Sequence, residues 1–502
     1  MAAQRTSADA LADALAARSG APVERIETRI SWIFLTGRLA FKLKKPVRLG
    51  FLDFTGVAAR RAACEAELRL NRRFSDTIYR RVIAVRGTPL APRIGGAGAP
   101  IDWLVCMRRF PRGALLSERI EAGSLTGECV ERVARCIAAF HARASVAGPA
   151  TPFGAPGQPL QAAHAVLAAL DAEDARVAAL RAWIEAQGVA LADTWRARRQ
   201  AGFVRDCHGD LHAANVACLG DRVVPFDCLE FDPALRWTDV MGDVGFLAMD
   251  LAARDRPDLA FRFLDAWLAA TGDFDGVGVL RFQLVYRALV RAMAEAGDAP
   301  AAASGYLDGA LAWSAGAAPR LLIAHGLSGS GKSSVALQLL QHAGAIRLRS
   351  DVERKRLFGL EPLARATPDR VDLYSADASR RVHERLLAGA RAVLRGGFPA
   401  IVDATFLRAA DRAAFRQLAR EEGVAFAILD CRADAATLRE RIVARQERGA
   451  DPSDATLAVL AQQRATDEPL DPAERACAIE VDTGAAPDVA EIVRRWRALP
   501  PA

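Results

Sequence analysis

Two hydrophobic periods run along this chain, and they are distributed differently before and after residue 316. Residues 7 to 18, rich in Ala and Leu, read as a short helix. The runs SWIFLTG and LAFKLKKP read as two strands joined by a tight turn at Gly37-Arg38. Lys42 and Lys44 flank Leu43, so a period of two turns both lysines to one face. Residues 57 to 73 read as a helix with Glu65 and Glu67 in mid-course, and IDWLVCMRRF as a buried strand running into a connector. Residues 128 to 144 read as an amphipathic helix, and 159 to 200 as two or three more. A last helix is expected at 304 to 315. The chain then thins into Ala, Gly and Pro, which places a domain boundary at about residue 316.

Beyond the boundary, strands and helices alternate. Strands are expected at 320–325, 345–349, 399–403, 425–430 and 477–481. Helices are expected at 332–342, 351–358, 376–395, 411–421, 435–446, 454–464 and 486–497. That order predicts a parallel sheet with helices on both faces and ligands at the carboxyl ends of its strands.

The first strand–helix junction of that half carries GLSGSGKSS, residues 326 to 334. It fits GxxxxGK[ST] between an apolar strand and a helix, the context this phosphate-binding loop requires. Gly326, Gly329 and Gly331 let backbone N–H groups turn inward, and Ser328, Ser330 and Ser334 complete the cradle. Lys332 reaches the outer phosphates of ATP, and the Ser333 hydroxyl can bind Mg²⁺.

Composition narrows the class without naming it. At 502 residues, two to four domains are expected. An apolar fraction of 51% with 25% charged residues excludes large-scale disorder. A net charge of +7 and a pI near 9.1 suit anionic ligands such as nucleotides, and no basic block argues for nucleic acid. The nine cysteines lack CxxC or Cys/His spacing, so reduced thiols in the cytoplasm are expected rather than disulfides or zinc. Asp9 and Asp13 interrupt the N-terminus, so no signal peptide is expected. The longest charge-free stretch, 144 to 170, contains four prolines and reads as a loop and a helix rather than a membrane span.

A second motif lies in the first half. In CHGDLHAANV, His208, Gly209 and Asp210 precede Asn215, and Asp227 follows at the end of the apolar run in VVPFDCLEFD. Asp210, in a tight loop, can take the proton of an attacking hydroxyl, while Asn215 and Asp227 can hold Mg²⁺ against nucleotide phosphates. Lys42 or Lys44, paired with Glu65 or Glu67, fits the ATP-anchoring arrangement of a protein-kinase-like N-lobe.

Three further places in the second half can carry chemistry. Asp351 can accept an acceptor's proton and Arg354 can hold an anionic group, although Ser350 and Glu353 also fit a helix capping box. Asp403 ends the strand of PAIVDATF, where it can support Mg²⁺, with Thr405 beside it. Arg445 and Arg448 end a helix before a DPSD turn, where a lid arginine can neutralise a transferring phosphoryl group or simply meet solvent.

HGDLHAAN and FDCLEFD resemble the aminoglycoside phosphotransferase-like kinases over residues 20 to 315, without a GxGxxG loop and without an acidic aminoglycoside pocket. That resemblance implies a two-lobed protein-kinase-like fold, Asp210 as base, Asn215 and Asp227 as Mg²⁺ ligands, and Asp239 or Asp243 as a brace for the catalytic loop. Residues 320 to 485 resemble the small-molecule and polynucleotide 5′-hydroxyl kinases of the P-loop class, which implies a three-layer α/β/α domain. The expected protein is therefore a mixed α/β and α+β cytoplasmic phosphotransferase. Its modules are residues 1–316 and 317–502, its cofactors ATP and Mg²⁺, and its acceptors hydroxyl-bearing small molecules. The alternatives are a regulatory nucleotide-binding role for one module and an oligonucleotide acceptor for the second.

Overall fold

The computed structural model describes residues 6–49, 52–297, 299–364, 373–448 and 451–501, the side chain of Arg448 excepted. The chain forms two compact units. One is built from Met1–Leu125, Arg143–Ala155 and Gly202–Asp243, the other from Thr126–Ala142, Pro156–Ala201 and Val244–Ala502.

The first unit is organised on a six-stranded antiparallel sheet. Its strands lie in the order Val23–Glu27, Ser31–Thr36, Leu39–Lys44, Pro100–Arg108, Tyr79–Thr88, Ala91–Ile94. On one face Phe34, Phe41, Leu43 and Leu104 pack with Ala8, Leu11 and Leu15 of helix Ser7–Ser19. Helix Val57–Asn71 packs on the sheet through Cys64, which clusters with Tyr79 and Val105. Alternation along Leu39–Lys44 therefore sends Phe41 and Leu43 into the apolar cluster and leaves both lysines for the other face. The hairpin Val216–Leu219 with Arg222–Pro225 lies between the two halves of the second motif. The strand Tyr79–Thr88 was not legible by period two, because register shifts at Tyr79/Arg81 and Val85/Arg86 break its alternation.

The second unit contains a five-stranded parallel sheet in the order Ile346–Arg349, Ala400–Asp403, Arg320–His325, Ala425–Arg432, Ala478–Asp482. Leu321, Leu322, Ile323 and Ala324 are all fully buried, so this central strand is a continuous apolar run covered on both faces. The chain order reverses beside it, and the phosphate-binding loop sits at its carboxyl end, where such sheets open a crevice. All five expected strands and all seven expected helices of this half are present with small shifts at their ends. The last helix before the sheet starts earlier than read, spanning Pro300–Ala315 with proline in its first turn. Helix Pro257–Thr271 packs on helix Lys332–Ala343 and strand Ile346–Arg349 within this unit. No helix among the described residues is long and apolar enough to cross a membrane.

Candidate active sites

In the first unit, the two lysines and Glu67 form one buried cluster. Glu67 accepts a bond from Lys44 Nζ at 2.7 Å and lies 3.2 Å from Lys42 Nζ. Lys42 also donates to Asp227 Oδ1 at 2.5 Å, and Lys44 pairs with Glu230. Glu65, one helical position pair away, is exposed and bonds Arg61 at 2.8 Å, so of the two candidate glutamates only Glu67 faces the lysines. Burial disfavours charge on Lys42, but the Asp227, Glu67 and Glu230 carboxylates outweigh it and hold its ammonium well above the ordinary lysine range. Burial likewise opposes ionisation of Glu67, and Lys42 with Lys44 reverse this, holding its carboxyl below the usual range. Lys44 is enclosed by two carboxylates, whereas Lys42 reaches Asp227, whose side chain is 35% exposed. Lys42 is thus the lysine within reach of a ligand.

The loop His208–Asn215 is held from beneath. Asp243 accepts the backbone N–H groups of His208 at 2.7 Å and Gly209 at 2.9 Å. Asp239 instead caps the next helix through Met241 N–H at 2.9 Å. Gly209 has φ +85°, and a Cβ there would meet Arg236 Cα at 3.3 Å, so the turn that presents Asp210 needs glycine. His208 Nε2 lies 2.9 Å from the Phe226 carbonyl, which fixes it as the protonated nitrogen, and burial lowers the imidazole pKa. Asn215 Nδ2 donates to the Asp210 carbonyl at 2.9 Å and to its Oδ2 at 3.0 Å. Its own amide oxygen and the Asp227 carboxylate are hard oxygen donors of the kind Mg²⁺ takes. Asp227 itself adopts φ +60° and is anchored by its N–H to Tyr79 Oη at 3.1 Å. Tyr79 and Glu230 were not read from the sequence. Glu230 was visible as the second acid of FDCLEFD; Tyr79 sits on the bulged strand.

In the second unit, the P-loop opens into a cavity of about 590 Å³. Ser328, Gly329, Gly331, Lys332, Ser333, Ser334, Asp351, Arg354, Asp403 and Arg445 all line it, as does Thr405. Gly326 and Ser330 turn into the protein instead. A Cβ on Gly326, at φ +130°, would meet the Cys431 carbonyl at 2.4 Å, and buried Ser330 lies 3.4 Å from Lys332 Nζ. Lys332 donates to the Leu327 carbonyl at 2.7 Å, and burial lowers its pKa against the opposing pull of Asp403. The Ser333 hydroxyl donates to Asp403 Oδ1 at 3.1 Å. The other oxygen, Oδ2, is buried and has no hydrogen-bond partner among the described residues. A hydroxyl and a carboxylate side by side, with one carboxylate oxygen in ion-pair range of arginines but in no hydrogen bond, fit a Mg²⁺ ion beside the loop.

Burial raises the pKa of Asp351; Arg349 opposes this and Asp403 reinforces it. Arg354 donates to the Leu373 carbonyl at 2.8 Å and lies over the Tyr374 ring at 5.0 Å. The capping box expected at Ser350 and Glu353 does not form. Ser350 lies inside helix Ser350–Leu357, whose N-cap is Arg349, and Glu353 instead bonds Arg385 at 2.9 Å and pairs with Arg356. Arg445 donates to the Ala455 carbonyl at 3.3 Å, and the Arg448 side chain lies outside the described residues. Arg441, four residues before Arg445 on the same helix face, bonds Thr483 and the Gly329 carbonyl at 3.4 Å, and so ties this helix to the loop. That spacing was legible and was missed. Gln463, which accepts the Ser328 N–H at 2.9 Å, had no local signal.

Residues 321–470 match the family model of an AAA domain. Over the longer span, the chain is 29% identical to uncharacterized proteins of Mycobacterium tuberculosis and Mycobacterium bovis across 458 residues, covering 88% of this chain and 89% of each relative. Among solved structures it is similar to a choline/ethanolamine kinase family protein from Mesorhizobium loti, 16% identical over 61% of this chain and 94% of that one, with a TM-score of 0.39. It is also similar to a gluconokinase from Sinorhizobium meliloti, 25% identical over 36% and 90% with a TM-score of 0.25. The Mycobacterium tuberculosis APS kinase in complex with AMPPNP and APS is 21% identical over 36% and 99%, with a TM-score of 0.28.

Proposed function

We propose that this chain is an ATP- and Mg²⁺-dependent phosphotransferase with two nucleotide sites, each moving the γ-phosphoryl group to a hydroxyl of a small molecule. The observation that carries the reading is the shared cavity of Lys332, Ser333 and Asp403 with Asp351 and Arg354. The first three suit a nucleotide and its cation. Asp351 and Arg354 supply a base and an anion-holding group for an acceptor, which a site that only binds nucleotide has no use for. Bound Mg²⁺ supplies charge neutralisation on the phosphates, held by Ser333 and Asp403 here and by Asn215 and Asp227 in the other site. The acceptor oxygen bonds to the γ-phosphorus, the bond to the bridging oxygen breaks to leave ADP, and the hydroxyl proton passes to Asp351 or, in the other site, to Asp210.

We read the sequence as two modules meeting near residue 316, with the parallel sheet starting at Arg320. The nine free cysteines are in keeping with a reducing compartment such as the cytoplasm.

The test measures ADP and phosphorylated product from wild type, Lys332→Ala and Asp210→Asn against pooled sugars, polyols, aminoglycosides, nucleosides and 5′-hydroxyl oligonucleotides. An acceptor that stimulates ADP formation in wild type and fails to do so in one variant assigns that acceptor to that site. No stimulation by any pool, with both variants matching wild type, overturns the reading.

A further inference from the structure

Asp265 lies on helix Pro257–Thr271, in the stretch whose sequence resembles the aminoglycoside phosphotransferases and 82 residues before Arg347 of the P-loop sheet. Its carboxylate accepts two bonds from Arg347, from Nε at 3.1 Å and from Nη2 at 2.7 Å. Both residues are buried, each at 7% exposure. Arg347 Nη1 donates to the Ser333 carbonyl at 3.0 Å and lies 3.7 Å from Asp403 Oδ2, the oxygen that lacks a hydrogen-bond partner. One buried guanidinium thus stands between Asp265 and the two residues read above as Mg²⁺ ligands.

A bidentate carboxylate fixes the plane of a guanidinium as well as balancing its charge. A buried arginine left without its partner takes the nearest carboxylate, because an uncompensated charge in the interior is strongly unfavourable. Here that carboxylate is Asp403, which already has Arg349 at 3.5 Å. With Asp265 in place, Asp403 faces one competing arginine, Arg349, which it shares with Asp451 at 3.8 Å. Without Asp265, Asp403 faces two, and an oxygen claimed by arginine is a poor ligand for a cation.

We propose that Asp265 is a positioning residue for the P-loop site, which keeps Asp403 available to Mg²⁺ by holding Arg347. The inference rests on the reading of that site as an ATP·Mg²⁺ site. It makes the metal affinity of the P-loop depend on a helix that no P-loop motif includes.

The test titrates a non-hydrolysable ATP analogue by calorimetry, in EDTA and in Mg²⁺, into the full chain carrying Lys42→Met to silence the other site. Asp265→Asn is expected to lower the Mg²⁺-dependent gain in affinity about 10- to 100-fold, the usual effect of losing a residue that orients a metal ligand, with affinity in EDTA unchanged. The double variant Asp265→Asn/Arg347→Gln removes both charges and is expected to regain most of the Mg²⁺ gain. If Asp265→Asn does not fold, Asp265→Ser replaces it: the smaller hydroxyl likewise leaves Arg347 without its carboxylate, and the same loss is expected. A wild-type Mg²⁺ gain in the variant, an equal loss in EDTA and Mg²⁺, or no recovery in the double variant overturns the inference. If the Lys42→Met parent shows no Mg²⁺ gain at all, the ATP·Mg²⁺ reading of the P-loop fails, and the inference falls with it.

Discussion

Lys42 Nζ meets Asp227 Oδ1 at 2.5 Å across 185 residues of sequence, joining the third strand of the first unit, Leu39–Lys44, to the FDCLEFD segment. The same ammonium lies 3.2 Å from Glu67, so it stands between a buried carboxylate and one that solvent reaches.

Lys42 and Lys44 are therefore expected to fail differently. Lys44→Met removes the cation shared by Glu67 and Glu230, and breaking such a buried pair costs about 3–5 kcal/mol. Lys42→Met leaves Glu67 its bond to Lys44, and Asp227 can hydrate, so the stability loss is smaller while nucleotide affinity at this site falls more. Urea unfolding and analogue titration of both variants measure this, and equal stability losses in the two would contradict it.

Asp351 is expected to trade stability for reactivity. Burial raises its folded pKa above the unfolded value, so the folded state holds this proton more tightly. Stability then declines as pH rises from the ordinary aspartate value of about 3.9 through the folded pKa, and the cost persists at neutral pH. Asp351→Asn removes that cost and should unfold at a higher temperature at pH 7, while losing acceptor-dependent turnover. Arg349 lowers this pKa, so Arg349→Met should move the acid limb of the turnover–pH profile upward. Thermal scans and pH–rate profiles test both, and an unmoved acid limb in Arg349→Met removes Asp351 from the role of base.

Asp243 carries two buried backbone donors at the base of the loop that presents Asp210. Asp243→Ala leaves the His208 and Gly209 N–H groups unsatisfied, at about 1–3 kcal/mol each. Asp243→Asn keeps one acceptor and should retain part of the stability. Hydrogen exchange at residues 208–215 is expected to speed up in the alanine variant, and unchanged protection there would show that the loop does not depend on this brace.

Gly326 has no room for a side chain. Ala in its place would set a Cβ 2.4 Å from the Cys431 carbonyl at φ +130°. Such a conformation costs a non-glycine residue about 1–3 kcal/mol before the clash is counted. Gly326→Ala should lower the thermal midpoint and weaken analogue binding together, whereas Gly423→Ala, also at positive φ but with nothing within 4 Å, should lower the midpoint alone.

Much of the architecture was legible because its signals are local. An apolar run feeding a glycine loop and a helix specifies the P-loop, and alternating runs and helical periods specify the parallel sheet around it. Lys42 and Lys44 could be assigned to one face by period two, and Asp210, Asn215 and Asp227 stood out as candidates by spacing. The strand Tyr79–Thr88 escaped because bulges interrupt its period, and Gln463 and Arg347 because nothing near them in sequence announces their partners.

The sequence by itself determined which side chains are candidates for chemistry and in what order they arrive, since loop glycines, strand alternation and helix spacing act over a few residues. Only the tertiary structure decided which of them meet. Glu67 rather than Glu65 faces the lysines because helix Val57–Asn71 presents only one of those positions to the sheet. Lys42 rather than Lys44 reaches Asp227 because Lys44 is already enclosed by Glu67 and Glu230. Asp265 reaches Arg347 because burying a helix on the sheet edge brings together two buried charges that each need a partner. Pairings of this kind depend on packing between segments far apart in the chain, and periodicity carries no record of them.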